Sequence, residues 1–356
     1  MRAIPMRGCY FGGMTSRHQE PGDRLHGEEA IVALLAPLTE GVAGAFGLKD
    51  DCALLTPEPG TELVLKTDPI AEGVHFLPGE APGDIAWKAL AVNVSDLAAK
   101  GATPVGYLMA LSFPEAPSRQ WLSTFVAGLR EAQTRFRCHL LGGDTDRRPG
   151  PLTVSITAIG AVPQGQMVRR GSAKPGDLLF VSGTIGDAAL GLALLREPSR
   201  AAEWFLNDLQ TVGPIRCYRR PEPRLALGPA LRQYASAAMD VSDGLVKDLD
   251  RMLRASAVAG RLRAADVPRS VAGNKFVAAV PNHESGRRLA QLITAGDDYE
   301  VLAAVPARHA AGFRAAAAAA GVPVTEIGHL AAGTGLVVDG ADGRPLPLDR
   351  TGWDHF

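Results

Sequence analysis

Apolar residues recur along the chain with two periods that alternate, which predicts helices and strands in succession. From Gly27, the residues Ile31, Leu34, Leu35 and Leu38 fall at helical spacing. Glu62–Ile70 reads as a short buried strand ending in Thr67-Asp68. Asp84 is suited to cap a helix that runs through Lys100, with Gly101 as its stop. Pro104–Phe113 is apolar and strand-like, and the next segment sets Leu122, Phe125, Leu129 and Phe136 on one helical face. In Leu152–Val162, Leu152, Val154 and Ile156 alternate with Thr153, Ser155 and Thr157, the period of a half-buried strand.

Beyond the Pro- and Gly-rich stretch Val162–Gly176 the alternation resumes. Asp177–Ser182 reads as a strand, and Gly183–Asp187 turns into a helix. Helical patterns follow at Arg224–Tyr234 and Leu245–Arg254, a strand at Tyr299–Val305, and an alanine-rich helix at Ala307–Ala320 that ends at Gly321. Strands alternating with helices of this length predict two α/β layers. The expected division is a disordered lead-in over 1–26, an N-terminal domain over 27–163 and a C-terminal domain over 164–356. At 356 residues the chain is long enough for two cores.

Composition narrows the function classes. A net charge of -1 gives no basic excess for nucleic acid, and no apolar run is long enough to span a bilayer. Cys9, Cys52, Cys138 and Cys217 are scattered without paired spacing, the usage of a reduced, cytoplasmic protein without a disulfide frame or zinc site. The chemistry is suggested by aspartates in small-residue, turn-like settings: Asp50-Asp51, Thr67-Asp68, Asp96, Gly142-Gly143-Asp144-Thr145, Asp240-Val241-Ser242-Asp243-Gly244 and Gly296-Asp297-Asp298. If these converge, their repulsion calls for hard cations such as Mg²⁺, which takes further ligands from substrate phosphates. Each piece also has a plain reading. The acid pairs are solvated turns, Asp96 pairs with Lys100 one turn on, Asp240 and Asp243 cap the next helix, and Gly142-Gly143-Asp144 is a tight turn. The sequence lacks GxxxxGK[ST], a GxGxxG after a strand, the protein-kinase motifs and a GxSxG elbow.

Taken in order, the strings DDCALL, TDPIAEGVHF, AWKALAVNVSDLAAKGATP, LLGGDT, RRGSAKPGD, GTIGDAALGL, AMDVSDG, GDDYE and GWDHF resemble the thiamine-monophosphate kinase family. The resemblance runs from Asp50 to Phe356. It implies a PurM-like α/β (α+β) fold, with an N-terminal domain like that of aminoimidazole ribonucleotide synthetase, dimerising through its sheet, and a C-terminal α/β domain that closes the site. It implies transfer of a phosphoryl group from ATP to thiamine monophosphate with several Mg²⁺ ions, in a homodimer without nucleic-acid or membrane partners. By motif, Asp51, Thr67, Asp68, Asp96, Asp144, Asp240 and Asp243 would bind magnesium. Gly143, Asp144, Arg170 and Ser242 would hold ATP, and His75, Asp297 and Trp353 would contact the thiamine phosphate. No side chain is assigned as nucleophile or base, because an ionised phosphate oxygen needs none.

Two positions depart from the family's pattern. Lys49 stands where glycine is usual, and Lys66 where Ser or Thr precedes Thr67-Asp68. If the latter position binds metal through a hydroxyl the ligand is lost, and if through its carbonyl nothing changes. Selenophosphate synthetase and the hydrogenase-maturation protein share the fold. The former needs a flanking pattern that Cys9 lacks, the latter a C-terminal cysteine, and this chain ends Trp353-Asp354-His355-Phe356. A non-catalytic nucleotide-binding relative is the remaining alternative.

Overall fold

The computed structural model describes residues 23–25 and 27–354. The lead-in over 1–26, apart from 23–25, therefore lies outside the described residues, as do Cys9 and the last two residues. The chain forms two sheets. The first comprises β1 (Thr61–Ala71), β2 (Thr103–Phe113), β3 (His139–Arg147) and β4 (Thr153–Pro163), in the order β1-β4-β2-β3. Residues 164–176 lead to the second, which comprises β5 (Asp177–Ser182), β6 (Ala237–Val241), β7 (Ala259–Arg263), β8 (Glu300–Pro306), β9 (Val324–Ala331) and β10 (Leu336–Asp339), in the order β10-β7-β9-β5-β8-β6.

The first sheet is covered on one face. Val154, Ile156 and Ala158 of β4 are fully buried against its helices, while Thr153, Ser155 and Thr157 point the other way and are half-buried, as the period of two predicts. On that open face Leu63, Leu65 and Leu108 are 39%, 67% and 40% exposed. The second sheet is buried on both faces. Leu179, Val181 and Leu302 pack with the helix Leu245–Ser256, and Phe180, Ala303 and Val305 pack with Phe313 of the helix Ala310–Ala319. Its central strands are accordingly near-continuous apolar runs.

The helix Pro82–Ala99 ties the two halves together. It is buried almost all round: Leu90 and Val94 join the core of the first sheet, and Ala99 joins that of the second. Asp84 is not its cap. Pro82, with φ pre-set for a first helical turn, starts the helix after Ala81, and Asp84 lies in that turn, 2.5 Å from Arg220. Gly101 takes the left-handed φ of 70° expected of a stop. Gly142-Gly143-Asp144 is strand, not turn: these residues lie inside β3, with Gly143 opposite Met109 and Asp144 opposite Ala110. A Cβ on Gly143 would sit 1.8 Å from the Met109 carbonyl oxygen, so glycine there permits the strand pairing.

Candidate active site

Two turns and the C-terminal tail build the site. The first follows β6, whose buried run delivers Asp240 to the sheet edge before Ser242, Asp243 and Gly244 turn into the helix Leu245–Ser256. Gly244 takes φ 121°, and the buried Asp248 carboxylate accepts the Ser242 and Asp243 amides at 3.0 and 2.9 Å. Asp248 thus holds the turn that leads into the helix, and neither Asp240 nor Asp243 caps that helix through its side chain.

The second is Gly296-Asp297-Asp298-Tyr299, laid against the first by hydrogen bonds from the Asp297 amide to the Ser242 carbonyl and from the Tyr299 amide to the Val241 carbonyl, both 2.8 Å. Asp297 and Tyr299 hold left-handed φ values of 71° and 50°. Asp tolerates that region but tyrosine does so at a cost, and backbone strain of this kind concentrates at functional sites. Asp298 turns inward and accepts the Gly186 amide, and burial raises its carboxyl well above the ordinary range. The third element is the tail, where the Trp353 amide donates to the Asp243 carbonyl at 2.9 Å.

The helix Pro82–Ala99 supplies the polar groups between these turns. Lys88, 2% exposed, donates to Asp297 at 2.9 Å and to the His75 carbonyl at 2.8 Å, with the Tyr218 ring centred 3.8 Å from its Nζ. Asn93 accepts the Asp68 amide and donates to the Asp68 carbonyl, fixing β1 on the helix. Ser95 donates to Asp240 at 2.8 Å. Burial, reinforced by the charge of Asp96, raises the Asp240 carboxyl strongly. Lys66 of β1 joins Asp68 and Asp96 at 2.9 and 2.8 Å. Lys100 does not pair with Asp96 as a simple turn contact would have it: its Nζ donates to the Ala238 carbonyl, and burial lowers its pKa against the pull of Asp240.

Two cavities open onto these groups. The first, about 860 Å³, is bordered by Asp68, His75, Asp96, Asp240, Ser242, Asp243, Asp297 and Trp353, with Ile70, Val74 and Tyr218 giving it an apolar and aromatic side. The second, about 560 Å³, is bordered by Lys100, Arg169, Arg170 and Arg251. Lys66, Asp96, Asp240 and Ser242 line both. A chamber with an aromatic side, which Arg196, Arg200 and Arg350 also line, therefore meets a cationic one at two acids, a lysine and a serine, a shape suited to two anionic substrates.

Four expected residues lie outside both cavities. Asp51 is in an exposed turn, and Thr67 faces the open side of the sheet, bonding to the Ile156 carbonyl and the Thr157 hydroxyl. Gly143 shares a cross-strand row with Asp68 by way of Ile156 and Met109. Three strand spacings therefore put it roughly 14 Å away. Asp144 is on the open face beside it. Sequence reasoning missed Lys88, Asn93 and Ser95, whose signal was a polar residue breaking an otherwise apolar helical run. Among the described residues no group of three His, Cys, Asp or Glu side chains is arranged to hold a metal ion. Asp68, Asp96, Asp297 and Asp243 at the first cavity are instead paired with Lys66, Lys88 and Arg251, the last 2.7 Å from Asp243, while Asp240 accepts from Ser95.

Residues 49–162 match the family described as AIR synthase related protein, N-terminal domain, and residues 174–340 match its C-terminal domain. The chain is 43% identical to thiamine-monophosphate kinase of Caulobacter vibrioides over 325 residues, covering 91% of this chain and 89% of that one. The chain belongs to the thiamine-monophosphate kinase family. A crystal structure of thiamine-monophosphate kinase from Stenotrophomonas maltophilia K279a is 35% identical, with a TM-score of 0.73 over 92% of this kinase and 93% of that chain. Another similar structure, AaThiL complexed with AMPPCP and TMP, is 29% identical, with a TM-score of 0.72 over 97% of this kinase and all of that chain. The expected PurM-like fold of two AIR-synthase-type domains is the fold observed. Among the described residues, no helix is long and apolar enough to cross a membrane.

Proposed function

We propose that this kinase transfers the terminal phosphoryl group of ATP directly and in line to the phosphate of thiamine monophosphate, giving thiamine diphosphate. The observation that carries this reading is the meeting of a cationic and an aromatic chamber at Lys66, Asp96, Asp240 and Ser242. A relative solved with AMPPCP and TMP supports the same pair of substrates.

The acceptor phosphate oxygen is already ionised at neutral pH, so the chain has to position two anions and screen their repulsion. Arg170, with Arg169, suits the polyphosphate through planar guanidinium forks, and the Ser242 hydroxyl lies at the junction. Trp353 offers a flat face for the thiamine rings, with His75 and Asp297 beside it. ATP enters as its magnesium complex, so that metal is part of the substrate, and Asp96, Asp240 and Asp243 are the carboxylates nearest its path. Further magnesium ions held by Asp96 and Asp243 fit poorly, because Lys66 and Arg251 already pair with these two acids.

The kinase acts in the cytoplasm as a homodimer. The open face of the first sheet, with exposed Leu63, Leu65 and Leu108, supports pairing of two copies there. Thr67 and Asp144 lie on that face, where a second copy would bring them to a shared site. The test is steady-state kinetics with product chromatography on two variants. Asp243→Asn abolishes thiamine diphosphate formation with an unchanged circular dichroism spectrum, and Arg170→Ala raises KM for ATP while leaving KM for thiamine monophosphate near its starting value. Wild-type kinetics in both variants would overturn these roles.

A further inference from the structure

The Lys66 ammonium lies where two acidic side chains from different elements converge. β1 places Val64, Lys66, Asp68 and Ile70 on the face toward the helix Pro82–Ala99, which presents Asp96. Lys66 Nζ is 2.9 Å from Asp68 Oδ2 and 2.8 Å from Asp96 Oδ2. Neither carboxylate is on a mobile segment, since Asn93 clamps the Asp68 backbone in both directions and Asp96 belongs to a buried helix. The Lys66 side chain is 30% exposed and borders both cavities. Burial alone would favour the neutral amine, but the adjoining carboxylates outweigh it and keep the group a cation.

A point within 3 Å of two fixed carboxylate oxygens is one that a hard divalent ion would occupy, at oxygen distances of about 2.1 Å. A dication and an ammonium repel at that range and compete for the same lone pairs. The position therefore takes one or the other.

We propose that Lys66 is the resident cation of the junction, its ammonium taking the place of a protein-held divalent ion between Asp68 and Asp96. An ammonium carries three N–H donors, and two serve these carboxylates, so the third is directed to the shared space of the two cavities. There it meets the phosphoryl group in transfer, an assignment that rests on reading this junction as the kinase site. The ion site itself does not depend on that reading.

The test counts Mn²⁺ bound per chain by electron paramagnetic resonance, without nucleotide or thiamine monophosphate. Removing the ammonium in Lys66→Ser opens the place between the carboxylates, so this variant binds one more Mn²⁺ than wild type, and Lys66→Ser/Asp68→Asn loses the added ion. Equal counts in wild type and Lys66→Ser overturn the proposal. Should Lys66→Ser fail to fold, Asp68→Asn with Lys66 in place decides. An unchanged count relative to wild type supports the ammonium as resident cation, and a count lower by one overturns it. Because no turnover is measured, these outcomes are independent of whether thiamine monophosphate is the acceptor.

Discussion

The Lys88–Asp297 pair joins the two halves of the molecule at the site, and Asp297→Asn tests how much that joint contributes. Lys88 is 2% exposed, with Asp297 at 2.9 Å, the His75 carbonyl at 2.8 Å and the Tyr218 face as its surroundings. Asparagine keeps the size of the side chain and tolerates the left-handed φ of 71°, so the substitution removes charge without adding backbone strain. What remains is a buried ammonium whose counter-charge is gone. Breaking a buried pair in this way costs about 3–5 kcal/mol, and the 28% exposure of Asp297 places this case at the lower end, about 3 kcal/mol. For domains of this size that corresponds to a fall in Tm of roughly 6–12 °C. Lys88→Met leaves instead a carboxylate that water reaches and costs less, about 2 kcal/mol. In urea unfolding at pH 7, the double variant should fall short of the summed single losses by more than about 1 kcal/mol, because both remove one interaction. An Asp297→Asn loss below about 1 kcal/mol, or strict additivity, would refute the claim that this pair holds the halves together.

Two further outcomes follow from the packing and burial. Gly143→Ala must displace the Met109 carbonyl from a 1.8 Å overlap, and should destabilise by about 2 kcal/mol in chemical denaturation, as overpacking does; a neutral result would mean the pairing of β2 and β3 is looser than described. Asp298 is a carboxyl whose folded pKa is raised by burial. Its contribution is full below the unfolded value of about 3.9 and is lost as pH rises through the raised folded value. Tm should therefore fall less steeply in Asp298→Asn than in the wild type as pH rises above about 4, and equal slopes would exclude a contribution from Asp298.

Much of the scaffold was legible in the sequence because burial imposes a period. The alternation in Leu152–Val162 and the helical face of Leu122, Phe125, Leu129 and Phe136 reappear as β4 and a helix with those residues buried. β3 was hidden because Gly142-Gly143-Asp144 carries turn residues, and only the close approach of β2 explains glycine in a strand there. The aspartates were legible as a set, but their convergence was not. Strand order decides that, and β1 and β3 lie at opposite edges of the first sheet, which separates Asp68 from Asp144 within one chain. Lys88, Asn93 and Ser95 were missed for a related reason: a polar residue in an apolar helix looks solvent-facing until β1 and the second half of the chain close over it. Lys66 stood out in sequence only as a departure, and its role depends on where Asp96 sits.

Phosphoryl transfer at the junction of the two cavities is tested by ADP release from Mg·ATP, measured with and without thiamine monophosphate. Release should depend on thiamine monophosphate, with one thiamine diphosphate identified by chromatography for each ADP. ATP binding without such product, or ADP release indifferent to thiamine monophosphate, would contradict it.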